Sequence, residues 1–205
     1  MCQSCYEQFI ENSFNDGGER NSAVEINRID CGFKCEANFV FRWGAVNEKV
    51  CSEIIYRIKK SRSRGAVKFY SKILYSKLLL DNHFEDVDVI VPVPGSSEDS
   101  SHAESIATEI GLSANIPVEK WIVRKVGARH DVRQKNLKVQ DRKNRNLYTL
   151  CEAFEKISRP AGDKVGRVLL IDDVITTGET INECSRLLQP YFSVKAAALF
   201  YREKK

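Results

Sequence analysis

Apolar side chains fall into short periodic groups along the chain, and the period switches between that of a strand and that of a helix. Residues 37–43 alternate apolar and polar positions with several aromatics, which predicts a strand. Val50, Ile54, Ile55 and Ile58 recur at helical spacing, and residues 69–80 continue that rhythm after the break at Arg64 and Gly65. Residues 87–93 are a β-branched run bounded by Pro92, Pro94 and Gly95, as expected of a buried strand that ends in a turn. A helix is predicted over 101–110 with Gly111 as its stop, and Trp121, Ile122 and Val123 read as a further strand. The clearest strand lies at 165–171, followed by a helix over 180–188 and a last strand over 194–201. Such alternation predicts an α/β fold, a mostly parallel sheet flanked by helices on both faces.

Residues 1–36 break this pattern. They carry four cysteines, many polar residues and the Asp16-Gly17-Gly18 turn without sustained periodicity, so they read as a small appendage to one main domain at 37–205. A polar appendage needs something to order it. Cys2 and Cys5 are separated by two residues and Cys31 and Cys35 by three, a layout compatible with one tetrahedral structural zinc site, whose binding supplies folding energy. Four free thiols are the alternative. Cys51, Cys151 and Cys184 lie in apolar surroundings and read as packing residues.

Composition sets the class. A chain of 205 residues with 42% hydrophobic and 29% charged residues has enough apolar surface for a core and is not driven open by charge. The longest apolar runs, at 73–80 and 196–200, fall short of the about 20 residues needed to cross a bilayer. No membrane span is expected. The first residues lack the basic patch and apolar stretch of a secretory signal, so the cytoplasm is the expected compartment, where thiols stay reduced. No internal repeat or low-complexity segment is present.

The net charge of +4 is unevenly placed. Arg57, Lys59, Lys60, Arg62, Arg64 and Lys68 form one basic cluster, read as a solvated face. A second runs from Arg124 and Lys125 through Arg129, Arg133, Lys135, Lys138, Arg142 and Lys143 to Arg145, opposed by Asp131 and Asp141. Its scattered apolar residues suggest a loop, and its charge suits a phosphate ligand or the backbone of a nucleic acid.

Residues 168–180 concentrate the chemistry. An apolar strand runs into Asp172 and Asp173, then into a turn with Thr176, Thr177 and Gly178, then into a helix start at Glu179 and Thr180. Ligands of open α/β sheets bind outside the carboxyl ends of strands, where this acidic pair is expected to emerge. Carboxylates accept hydrogen bonds from ribose hydroxyls and can face a hard cation such as Mg2+. The threonine hydroxyls and the backbone N–H groups of a helix start are suited to a phosphate, and glycine permits its close approach. Helix capping alone would require only one such residue. A Walker B strand would need a glycine-rich loop ending in Lys-Ser/Thr upstream, which the chain lacks. No nucleophile triad can be argued from His83, His102 and His130, which read as surface or loop residues.

This stretch closely resembles the signature of type I phosphoribosyltransferases for 5-phosphoribosyl-1-pyrophosphate (PRPP). More of the chain resembles the ComF family, phosphoribosyltransferase-like proteins associated with bacterial competence and DNA uptake. The likeness is carried by the paired N-terminal cysteines, the segment at 54–60, Val91-Pro92-Val93-Pro94, and Gln134, Leu137 and Arg142 before Asn146. The resemblance implies that Asp172 and Asp173 hold the ribose hydroxyls, and that Thr176, Thr177, Gly178, Glu179 and Thr180 hold the 5-phosphate. It further implies that Val93, Pro94, Gly95 and Ser96 meet the pyrophosphate, that Arg133 or Lys135 reaches it as it departs, that Mg2+ accompanies PRPP, and that the four N-terminal cysteines bind structural zinc. Where family members commonly continue into an Arg-Gly-Phe-Asn-Gln-like stretch, this chain has Ser96-Ser97-Glu98-Asp99-Ser100-Ser101-His102. Acidic side chains there repel pyrophosphate unless a cation intervenes. Two functions are therefore carried forward. One is phosphoribosyl transfer to an unknown acceptor; the alternative is a catalytically weak PRPP-binding accessory protein that associates with single-stranded DNA in competence, with a partner ATPase.

Overall fold

The computed structural model describes residues 23–28, 33–45, 48–59, 63–95, 101–125, 147–155 and 166–202. Among these residues seven strands are formed: β1 (Ala23–Arg28), β2 (Phe33–Trp43), β3 (Val89–Pro92), β4 (Ile122–Arg124), β5 (Tyr148–Leu150), β6 (Arg167–Ile175) and β7 (Ser193–Arg202). The helices among the described residues are α1 (Glu48–Lys59), α2 (Arg64–Leu80), α3 (His102–Ala114), α4 (Glu152–Glu155) and α5 (Glu179–Leu188).

The main sheet has the order β1-β2-β7-β6-β3. The pairs β2/β7, β7/β6 and β6/β3 are parallel, and the edge pair β1/β2 is antiparallel. The expected mostly parallel sheet flanked by helices is thus what forms. Its central strands are buried on both faces, which explains their nearly continuous apolar runs. Val168 and Leu170 on β6 and Ala196 and Ala198 on β7 pack with Ile181, Cys184 and Leu188 of α5 on one face. Leu169, Ile171, Ala197 and Leu199 belong to the opposite core, with Ile54 and Ile58 of α1, Ile73 and Leu74 of α2, and Ile106 and Ile110 of α3. Cys51 and Cys184 are buried in these cores as packing residues, whereas Cys151 is partly exposed and its thiol donates to the Lys120 carbonyl at 3.3 Å.

Four details differ from the sequence reading. First, residues 23–28 form β1, paired in register from Ala23 opposite Asn38 to Arg28 opposite Phe33, and β2 runs through the boundary placed at residue 36. The stretch is short, and the alternation of Val24, Glu25, Ile26 and Asn27 is a period-2 signal that the surrounding polar residues and turn hide. Second, α3 does not stop at Gly111 but continues to Ala114, capped by Asn115 in the left-handed conformation. Gly111 serves packing: a Cβ there would lie 2.4 Å from Val118 Cγ2 and 2.8 Å from the Ile116 carbonyl oxygen. Third, β6 extends past residue 171 to Ile175 because β7 continues to pair with it, through Ile175 opposite Tyr201. Fourth, His83 lies in the turn after α2, as a loop residue, but not at the surface: its side chain is buried, with Nε2 3.0 Å from the Ala196 carbonyl oxygen. His102 opens α3, and His130 lies outside the described residues.

A two-stranded antiparallel ribbon, β4 with β5, stands beside the main sheet. Trp121 leads into it and anchors it by stacking on Phe192, with ring centroids 5.2 Å apart, while Phe154 packs edge-on against Trp121 at 5.3 Å. Among the described residues no helix is long and apolar enough to cross a membrane.

Candidate phosphate-binding rim

The site is built where two parallel strands end together. β3 pairs with β6 only as far as Pro92 opposite Ile171, and the Val93 N–H then donates to the Ile171 carbonyl at 2.9 Å. Val93, Pro94 and Gly95 therefore leave the sheet abreast of Asp172 and Asp173, which stay within β6 alongside β7 but have no β3 residue beside them in the register. The start of α3 closes the same corner. Ser101, its N-cap, donates from Oγ to the Val93 carbonyl at 2.9 Å and accepts from the Glu104 N–H at 3.3 Å.

The strand leads directly into a helix start. Thr176 and Thr177 are exposed, and Gly178 caps α5 with φ 73° and ψ 0°, a left-handed conformation in which a Cβ would be strained. Gly178 contributes no side-chain cap hydrogen bond, while its carbonyl accepts the Asn182 N–H at 2.8 Å. Leaving the helix start without a side-chain cap keeps its first N–H groups available to an external anion. Glu179 and Thr180 lie in that first turn, half-buried.

The two carboxylates stand in different surroundings because successive strand residues face opposite sides of a sheet. Asp172 Oδ1 accepts the Asp173 N–H at 2.7 Å. Burial first, and then the negative charge of Asp173, push the Asp172 carboxyl up to about 7; the Asp173 N–H, Lys59 and the Val174 N–H pull the other way. Asp173 Oδ2 forms an ion pair with Lys59 Nζ at 2.8 Å, from the last turn of α1.

Three further residues belong to this region and carry no signal in the sequence pattern. Lys59 lies within a basic cluster that reads as a solvated face, yet it reaches the acidic pair. Glu183, one turn into α5, accepts the N–H groups of both Leu147 and Tyr148 on Oε1, the latter at 3.1 Å, and so ties the ribbon to the helix that follows the turn at Thr176, Thr177 and Gly178. Burial pushes the Glu183 carboxyl up, while these two N–H groups act against it. Tyr148 packs in the same core as Cys184; burial, then the neighbouring Cys184, push its phenol up to about 12, with Asp172 and Glu183 adding to the shift and Arg124 opposing it.

Ten of the residues singled out in the sequence thus lie at the carboxyl ends of two adjacent strands: Val93, Pro94 and Gly95 directly after β3, and Asp172, Asp173, Thr176, Thr177, Gly178, Glu179 and Thr180 from the end of β6 through the turn into the start of α5. Ser96, Arg133, Lys135, Cys2, Cys5 and Cys31 lie outside the described residues. Cys35 is elsewhere, buried in β2, with Sγ 3.8 Å from the carbonyl oxygens of Glu36 and Val194. Burial raises its thiol to about 11. The adjacent carboxylates of Asp172 and Asp173 are a hard oxygen donor set of the kind that suits Mg2+, and Asp173 already holds a cationic group in the form of the Lys59 ammonium.

No family model matches the chain. Competence protein F of Haemophilus influenzae is 33% identical over 107 residues, which is 50% of this chain and 44% of that protein. The likeness thus spans less than half the length of Competence protein F. Among solved structures, an adenine phosphoribosyltransferase is similar at 16% identity and a TM-score of 0.43, over 70% of this chain and 73% of that one. The glutamine PRPP amidotransferase of B. subtilis, solved with ADP and GMP, is similar at 18% identity and a TM-score of 0.42, over 66% of this chain and 26% of that one. These overlaps are partial, and the architecture stands on the strand order and register given above.

Proposed function

We propose that this domain binds PRPP with Mg2+ along the rim formed by residues 93–95 and 172–180 and transfers its phosphoribosyl group to an acceptor still to be identified. One observation carries the reading: two neighbouring carboxylates and a glycine-led helix start leave β6 in succession, abreast of the end of β3. The resemblance in sequence to phosphoribosyltransferases and the relation to Competence protein F support it.

In this reading the carboxylates of Asp172 and Asp173 accept hydrogen bonds from the ribose hydroxyls, and the turn at Thr176, Thr177 and Gly178 holds the 5-phosphate with its N–H and hydroxyl donors. Bound Mg2+ would offset the charge of the pyrophosphate. As the bond from the anomeric carbon to pyrophosphate breaks, the electron pair leaves with pyrophosphate, and positive charge develops on the sugar near the two carboxylates. The acceptor's lone pair then forms the new bond. Arg133 and Lys135 are the cations proposed to meet the departing pyrophosphate.

Calorimetric titration of the full chain with PRPP and Mg2+ tests binding, and a pyrophosphate-release assay over candidate bases tests transfer. Saturable binding that is lost in the Asp172→Asn, Asp173→Asn double variant is the expected result. Absence of binding by the folded wild type sinks the proposal.

Glu98 and Asp99 favour a second reading, because they fall in the stretch that the family resemblance assigns to pyrophosphate, where acidic side chains would repel it. That reading is a cytoplasmic PRPP-binding accessory protein with weak turnover, associated with single-stranded DNA and a partner ATPase. Binding without pyrophosphate release selects it. Its nucleic-acid component predicts affinity for single strands that falls steeply with salt; equal affinity at low and high salt removes that component. Zinc at Cys2, Cys5, Cys31 and Cys35 is read by metal analysis of protein purified without chelators, and protein that carries no zinc removes that proposal.

A further inference from the structure

Among the described residues, Lys59 is the cation that forms an ion pair with the acidic pair of the rim. Its Nζ lies 2.8 Å from Asp173 Oδ2. The two partners differ in freedom: the Asp173 side chain is 14% exposed, whereas that of Lys59 is 39% exposed at the end of α1. A strand carboxylate is fixed by its backbone, and a lysine head on a flexible four-carbon stem can withdraw into water.

We infer that Lys59 is an internal counter-ion of the acidic pair, which occupies Asp173 in the free protein and must leave it before a divalent cation can coordinate there. The inference rests on the reading that the pair faces a hard cation. A metal ion binds a carboxylate oxygen at about 2.0–2.6 Å, so it would sit within a few ångströms of an ammonium held at the same carboxylate. The two cations repel, and one displaces the other. Metal alone is therefore held weakly. Metal that arrives with a phosphorylated ligand is held more strongly, because the anion gives the displaced ammonium a new partner at the same rim. Lys59 thus couples metal occupancy to ligand occupancy as a positioning residue.

The test is titration of the full chain with Mn2+ alone, read by calorimetry or by the paramagnetic signal of the free ion. Lys59→Met, which keeps the stem and removes the charge, is expected to bind Mn2+ about fivefold or more tightly than the wild type. The same substitution combined with Asp173→Asn is expected to lose that gain. Equal or weaker Mn2+ binding by Lys59→Met, or none by either protein, overturns the inference. A second measurement avoids any folding defect: in the wild type, Mn2+ is expected to speed the labelling of Lys59 by an amine-acylating reagent, read by mass spectrometry. Unchanged or slower labelling overturns it as well. Failure of the parent reading is distinct, since it would appear as no PRPP binding by the wild type while the Mn2+ difference persists.

Discussion

At the scale of single residues, Asp172 concentrates the conflict between stability and use. A carboxyl with an ordinary value of 3.8 is raised to about 7 in the fold, so the folded state holds its proton more tightly than the unfolded state does. Stability contributed by this group is then present below about pH 4 and lost as pH rises from about 4 to about 7, beyond which the loss is constant. An amide in place of this carboxyl carries no charge to desolvate. Asp172→Asn is therefore expected to unfold at higher temperature than the wild type at pH 8, by on the order of 1–3 kcal/mol in stability, with the gap closing towards pH 4. Scanning calorimetry across that range reads it, and a variant less stable than the wild type at pH 8 would contradict the assignment. Gly178 is constrained by backbone and not by charge: at φ 73°, Gly178→Ala is expected to cost about 1 kcal/mol and to weaken phosphate binding. Chemical denaturation with and without inorganic phosphate separates the two effects.

At the scale of elements, the helix rules alone misjudge α3. Ala exceeds Gly in helix propensity by about 1 kcal/mol, so Gly111→Ala would stabilise an isolated helix. In the fold the added methyl meets Val118 Cγ2 at 2.4 Å and the Ile116 carbonyl at 2.8 Å, and one of these contacts is backbone. Net destabilisation of about 2 kcal/mol is expected on denaturant unfolding. Glu183→Gln tests the tie between α5 and the β4–β5 ribbon, where a carboxylate receives two N–H groups. Replacing a charged acceptor by a neutral one is expected to cost about 1 kcal/mol and to speed hydrogen exchange at the Leu147 and Tyr148 amides above that of the main sheet.

The same elements show what is legible in the chain. The segment from β6 to α5 can be read because strand, acidic pair, turn and helix start are contiguous, so local pattern and final position agree. Gly111 reads wrongly as a helix stop because the residue that needs its missing Cβ, Val118, is brought back by a turn. His83 meets Ala196 across 113 positions, and Glu183 meets Leu147 across 36; neither distance leaves a trace in local periodicity. Lys59 looks like any exposed base until the packing of α1 places its head beside Asp173. Cys35 pairs well in spacing with Cys31, but its alternation within β2 directs it into the core beside Val194.

At the scale of the whole molecule, the mostly parallel sheet with helices on both faces leaves the candidate site at the carboxyl ends of its strands, where charges are gathered that the fold alone would not favour. Ligand binding and stability should then trade against each other at one position. A ligand that binds only the folded state adds about 2.7 kcal/mol at a concentration one hundred times its dissociation constant. For a chain of 205 residues, that corresponds to a rise in melting temperature of roughly 5–10 °C. The wild type is expected to show this shift with PRPP and Mg2+ at pH 8. Asp172→Asn should begin from a higher melting temperature and show little or no shift, because the carboxylate that strains the free fold is one the ligand uses. The two melting curves would therefore approach or cross as ligand is added, which a purely structural Asp172 cannot produce. A shift of wild-type size in Asp172→Asn would assign the binding energy to the phosphate turn and remove the carboxylate from the site.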